Sequence, residues 1–419
     1  MSFGPMILFD KSALQMLNLD EATLFDSVFP TVICPIFYVE VLADLYKLET
    51  QGRTTEDIVS DLAKKTPVLR SYPNNSHRDL CLTELLGSEI EMRNAPMLGG
   101  GRPARHNGKV GLVYSESPEA RAFSRWQNGQ FEDVEREFAS GWRTQLASMD
   151  LSQAAKLVKA ALSVSGNPRN LSEAAALAKE AVKGLGQRFQ TLRVAYSLLG
   201  LPEPYWRTVH QRWSAANHPS LPSYAPYTAY CLWVDVFFYI AIAKSLISPD
   251  RPSNKVDMAY LYYLPFCQIF TSNDRLHKNS APLFMNTRQS FLSGDDLKKG
   301  IQELCAHVSG LPDDVLSQGL LKLSGGIAED DRFLPAQLSL KTVGHRVKSE
   351  DIAPPKKGTA LHSELMQMVN GMKASAERGD ARVSVRDQRS ADHITIERLV
   401  PLTKGRWRIL PPGIKADTD

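Results

Sequence analysis

Cysteine is scarce in this sequence, and what there is lies scattered. The five present, Cys34, Cys81, Cys231, Cys267 and Cys305, are odd in number and none belongs to a CxxC pair. That excludes a disulfide framework and a cysteine-based zinc site, and it points to a reducing, cytoplasmic setting. A secretory core is also missing: MSFGPMILFDKS meets an acid where the apolar run would have to continue, so no signal peptide is expected. Neither sign of charge dominates. The net charge of +3 is compatible with a polyanionic ligand but lacks the footprint of a dedicated nucleic-acid binder. There is no repeat of fixed period, and no serine or cysteine nucleophile constellation stands out. The one long apolar run, YCLWVDVFFYIAIAKSLI (230–247), is interrupted by Asp235 and Lys244. It reads as a buried core helix in which Asp235 is a satisfied core acid, not as a membrane span.

What the chain does have is bulk and alternation. Its 419 residues, 43% hydrophobic and 23% charged, leave room for two or three domains. PMILF (5–9) reads as a buried strand ending on Asp10, followed by helical stretches to Phe25. A further helix is predicted from Pro35, because proline suits a first turn, and it places Glu40 and Asp44 at i and i+4 on one face. Residues 51–222 are more polar and alanine-rich and read as a helical insertion. Within it, GGGRPARHNGK lacks the spacing of a phosphate loop and is read as a mobile loop able to touch nucleic acid. The HRD at 77–79 has none of the accompanying kinase motifs and is set aside.

Apolar density returns over 223–330. A helix is predicted to open at VDMAYLYYL, placing Asp257 in its first turn. CQIFTS (267–272) and QSFL (289–292) read as strands, and SGDDLKKGIQELCAHV as a capped helix. Residues 331–419 read as a linker around HRVKSEDIAPPKKGTA and a small basic appendage, in which HITIERLV and GRWRIL are expected to pair as a hairpin. Strands alternating with helices at both ends imply an α/β fold with a parallel sheet interrupted by the insertion.

In such a sheet, sites form beyond the carboxyl ends of the strands. Asp10 and Asp274 each follow a strand, and Asp257 precedes Asp274 by one helix and one strand. Each has an ordinary explanation, as a helix cap, a first-turn acid or a turn residue. Glu40, on the apolar face of its helix, has none without a partner. Gathered together, the four repel one another unless cations neutralise them, and an oxygen-only set suits Mg²⁺ or Mn²⁺. Lys11, Arg275, His277 and Lys278 lie where phosphate groups can approach. Asp44, one turn beyond Glu40, is an extra candidate member of the set.

These residues carry a resemblance. ILFDKSAL resembles the opening strand of PIN-like (PilT N-terminus type) nuclease domains, with a first acid followed by a small hydroxyl residue, here Ser12. FYVEVLADL resembles that family's second motif, and DMAYLYYLPFCQIFTSND its third acid, hydrophobic strand and T-x-x-D ending. The resemblance covers roughly 5–48 and 226–308. It implies a three-layer α/β/α sandwich with a central parallel sheet, and Asp10, Glu40, Asp257 and Asp274 as catalytic ligands of Mg²⁺ or Mn²⁺. Ser12, Asn273 and Lys278 would contact substrate, Asn273 being an alternative ligand because the spacing after Thr271 is long. The implied activity is endonucleolytic phosphodiester cleavage, commonly of RNA, in the manner of a toxin or defence effector. The competing expectations are a catalytically silent RNA-binding scaffold whose insertion docks a protein partner, and a DNA-directed nuclease.

Overall fold

The structure is a computed structural model that describes residues 4–47, 52–115, 118–184, 187–343, 358–377 and 391–411. Among the described residues eight strands make up the two larger sheets: β1 (Ile7–Phe9), β2 (Thr31–Ile33), β3 (Ser71–Pro73), β4 (Arg102–His106), β5 (Lys109–Tyr114), β6 (Ile269–Ser272), β7 (Ser290–Ser293) and β8 (His393–Ile396). Five of them form a central parallel sheet in the order β3-β2-β1-β6-β7, with Ile7 opposite both Thr31 and Ile269. The fold is therefore α/β with a five-stranded parallel sheet. Every residue of β1, β2 and β6 is buried, so both faces of the sheet centre are covered, an arrangement compatible with a three-layer sandwich. The edge strand β3 is only half-buried and carries Pro73, which an edge tolerates.

The strands read from PMILF, CQIFTS and QSFL all lie in this sheet, and the helix expected from Pro35 spans Pro35–Leu42. The apolar run forms the helix Pro226–Ala243. It is the one helix among the described residues long and apolar enough to cross a membrane, and most of it is buried. Its Asp235 is fully buried but paired with Lys255 and with the Tyr262 hydroxyl, as a core acid must be.

Four expectations need correction. The stretch 51–222 is not helical throughout, since it supplies β3 to the central sheet. GGGRPARHNGK is not an irregular loop but the hairpin β4–β5, turning at Asn107 and Gly108. Both have positive φ, as a two-residue type I′ turn requires. HITIERLV and GRWRIL do not pair with each other. Instead β8 extends the hairpin by running parallel to β5, while residues 403–404 and 407–408 make their own two-stranded ribbon. Finally, the helix carrying Asp257 begins at Ser253, so that acid sits in its second turn. The linker core, 344–357, lies outside the described residues.

Sheet order fixes where a site can form. The chain steps outward from β1 to β2 and β3, then crosses back to β6 and β7 on the other side. The order reverses between β1 and β6, and the crevice beyond their carboxyl ends is the switch point at which open parallel sheets bind ligands. Asp10 follows β1 directly, and Asn273 and Asp274 follow β6.

Candidate functional site

Asp10 caps the helix Lys11–Met16, accepting from the Ala13 amide at 2.9 Å. The cap reading of this residue holds, and its carboxylate lies against the end of β6. Ser12 Oγ donates to it at 2.8 Å, and Ser272 Oγ, from the end of β6, donates to Oδ2 at 2.6 Å. Successive strand residues face opposite ways. Ser272, not Thr271, therefore presents its hydroxyl to Asp10, and the motif expected around Thr271 is shifted by one residue. The Ser12 hydroxyl also accepts the Asn273 amide at 2.8 Å, which pins the two strand ends together.

The imidazole of His277 lies beneath this network, fully buried. Its Nδ1 is 3.2 Å from Asp10 Oδ2 and 2.9 Å from Ser272 Oγ, and its Nε2 donates to the Asp257 carbonyl at 2.7 Å. Burial opposes a charge on the ring, but the hydrogen bond and field of Asp10 and the field of Asp257 outweigh it, lifting His277 to about 9. The same contacts with His277 and Ser272 outweigh burial at Asp10 and lower its pKa. His277 is thus not a phosphate contact at the surface. It ties Asp10 to the helix that carries Asp257.

Lys11 is also not where the sequence suggested. It is buried, with Nζ 3.0 Å from Glu40 Oε1 and 3.1 Å from Asp44 Oδ1. Glu40 further accepts from the Tyr260 hydroxyl at 2.6 Å, one helical turn beyond Asp257. Asp44 is fully buried and its Oδ1 meets Lys47 at 2.7 Å and Arg143 at 3.4 Å. Three cations hold it, so it is a structural acid. Asp274 is half-buried and caps the helix Arg275–Ser280, its Oδ1 accepting from the Leu276 amide at 2.6 Å. Asn273, Arg275 and Lys278 are exposed.

Asp257 differs from the other acids. Among the described residues its carboxylate has no hydrogen bond or ion pair. Burial lifts its pKa to about 7, with the fields of Glu40, Asp274 and Asp10 adding to the rise against that of His277. Asp257 is therefore close enough to feel each of the other three predicted acids. Carboxylate oxygens without sulfur or imidazole are the donor chemistry of Mg²⁺ and Mn²⁺. The fit lies in that chemistry and not in a finished cage: among the described residues no three His, Cys, Asp or Glu side chains are grouped to hold a metal.

Sequence reasoning missed His277 as a buried partner, Lys11 as a buried cation and Ser272 as the hydroxyl facing Asp10. Only the last left a signal, the strand alternation of CQIFTS. A cavity of about 740 Å³ lies elsewhere, between β3, the helix Pro118–Gln127 and the segment around Arg398, and none of the four acids lines it. Comparison with protein-family models, curated proteins and solved structures gives no match.

Proposed function

We propose that this chain is a metal-dependent endonuclease of PIN-like type, hydrolysing phosphodiester bonds, foremost in RNA. The observation that carries the reading is Asp257: a carboxylate with no donor of its own, half-buried among three other acids and pushed to about 7. A structural acid in that position would have acquired a cation or donors, as Asp44 and Asp235 have. Perturbed acids in a crevice mark functional sites, and this one sits at the switch point of the sheet.

Asp257 and Asp274 would hold the ion, with Asp10 and Glu40 completing the oxygen set. When bound, Mg²⁺ or Mn²⁺ lowers the pKa of water and offsets charge that develops on the phosphate. The chain's own residues do the rest. Ser12, Ser272 and His277 fix the Asp10 carboxylate and keep it ionised, so it is ready as a ligand without rearrangement. Tyr260 orients Glu40, and Lys11 balances the charge of Glu40 and Asp44 so that the acids can stand together. The exposed Asn273 and Lys278 sit at the rim, within reach of substrate phosphates.

The test is incubation of purified protein with labelled single-stranded RNA, single-stranded DNA and duplexes, in Mg²⁺, Mn²⁺ or EDTA, beside Asp257→Asn. Cleavage that needs metal and is lost in the variant is expected. Equal cleavage by the variant, or none with either metal, would refute the reading; metal-independent binding alone would point to a silent scaffold.

A further inference from the structure

One place where the insertion approaches the acid site is Arg143, and the surface there has a composition of its own. Arg143, on the helix Asp133–Ala147, donates to the Ala43 carbonyl at 3.1 Å and meets Asp44, the acid that also holds Lys11 and Lys47. Three cations thus share Asp44 and Glu40. Lys47 and Arg143 keep 38% and 33% of their side chains in solvent, so the surplus positive charge faces outward. Aromatic residues adjoin these cations in the sequence. Tyr46, beside Lys47, is 58% exposed. Phe138 is 44% exposed and stacks on Trp142, beside Arg143, at 6.2 Å and 15° between ring planes. The acids of this helix, Asp133, Glu135 and Glu137, all precede Phe138, and Glu135 pairs with Arg125, so no acid lies between Phe138 and the end of the helix.

We infer that Tyr46, Lys47, Phe138, Trp142 and Arg143 form a platform for single-stranded nucleic acid leading into the acid site. Cations that track phosphates, interleaved with rings on which unpaired bases stack, are what sequence-tolerant single-strand binding requires. A duplex keeps its bases stacked on one another and leaves such rings nothing to take. The inference deepens the nuclease reading and rests on it for the strand's destination: Lys47 and Arg143 share the Asp44 carboxylate with Lys11, which in turn pairs with Glu40. It also gives the insertion a task.

The test is fluorescence anisotropy in EDTA, where no metal-dependent cleavage occurs, using labelled single-stranded RNA, single-stranded DNA and duplex of one length over a range of salt. Single strands should bind in preference to duplex. Lys47→Ala with Arg143→Ala should lower the slope of log affinity against log salt by about 1.4, two phosphate contacts at about 0.7 each. Phe138→Ala with Trp142→Ala should weaken binding at least about 5-fold with the slope unchanged, the loss of one or more stacked bases. Lys183→Ala, on another helix, should behave as wild type. Lys47→Ala and Phe138→Ala are also measured singly, with thermal unfolding, because Arg143 and Trp142 touch the body of the protein. Tighter binding of duplex, no binding by wild type, or affinity and slope that neither pair alters would overturn the platform. Metal-dependent cleavage with unaltered binding would sink the platform alone. Binding as described without cleavage in Mg²⁺ or Mn²⁺ would sink the nuclease alone.

Discussion

Neutralising Asp257 should stabilise the metal-free protein, by an amount that grows with pH. The site lifts this carboxyl from its ordinary 3.8 to about 7, so the folded state keeps a proton that the unfolded chain releases. Stability of the wild type must then fall as pH rises from about 4 to about 7, and change no further on this account above that. The full shift corresponds to about 4 kcal/mol. Asp257 retains some contact with solvent, which reduces the expectation to about 2 kcal/mol. Asp257→Asn cannot titrate. Its advantage over wild type in urea denaturation with EDTA should therefore widen by about 2 kcal/mol between pH 4 and pH 8. His277 contributes a separate dependence, present below its unfolded value of 6.5 and lost as pH rises through about 9. It operates in both proteins but is smaller in the variant, which lacks the field of Asp257, and it acts mainly above pH 6.5. Adding Mn²⁺ at about 100 times its dissociation constant should stabilise wild type by about 2.7 kcal/mol and leave the variant behind. A difference between the two proteins that does not vary with pH would refute the assignment of Asp257 as an acid destabilised by its neighbours.

Other parts of the structure make equally definite statements. Lys11→Met leaves Glu40 and the buried Asp44 short of a cation and should cost about 3 kcal/mol in denaturant titration. Asp26 is fully buried, accepts the amides of Val68, Leu69 and Arg70, and lies 3.6 Å from Lys404 Nζ; Asp26→Ala should cost about 3 kcal/mol or more, read by urea titration. Gly108→Val places a β-branched residue at φ 77° in the hairpin turn and should lower amide-exchange protection across β4 and β5, with a global cost of about 1–2 kcal/mol. His277→Ala removes the link between Asp10 and the Asp257 helix; titration calorimetry should show weaker Mn²⁺ binding by about 10-fold or more.

Strands with a continuous apolar run were legible in the sequence because burial on both faces leaves no other composition open to them. PMILF shows this outright and CQIFTS in its Ile269–Phe270 pair, and each is followed within two residues by an acid that caps the next helix. The edge strand β3 was not legible: three half-buried residues ending in proline carry no periodicity. The hairpin β4–β5 did carry its turn signal, Asn-Gly, but its basic strands obscured it. Among the site residues, Asp10 and Asp274 could be picked out by their position after strands, and Glu40 and Asp257 by theirs on helices. The cations could not. Whether Lys11 points to solvent or into the core depends on Glu40 and Asp44, some thirty residues away, and the buried state of His277 depends on Asp10 at the far end of the chain.

The strand order also has a consequence in time. β1 is the middle strand, and its neighbour β6 lies 262 residues further along. At roughly 5–20 residues per second, synthesis of that interval takes on the order of 10–50 seconds. Throughout it the nascent chain holds Asp10 and Glu40 while β1 waits with one edge unpaired. The four acids therefore cannot gather before β6 and Asp274 have been made, and the activity proposed for them would have to wait for β6 to join the sheet.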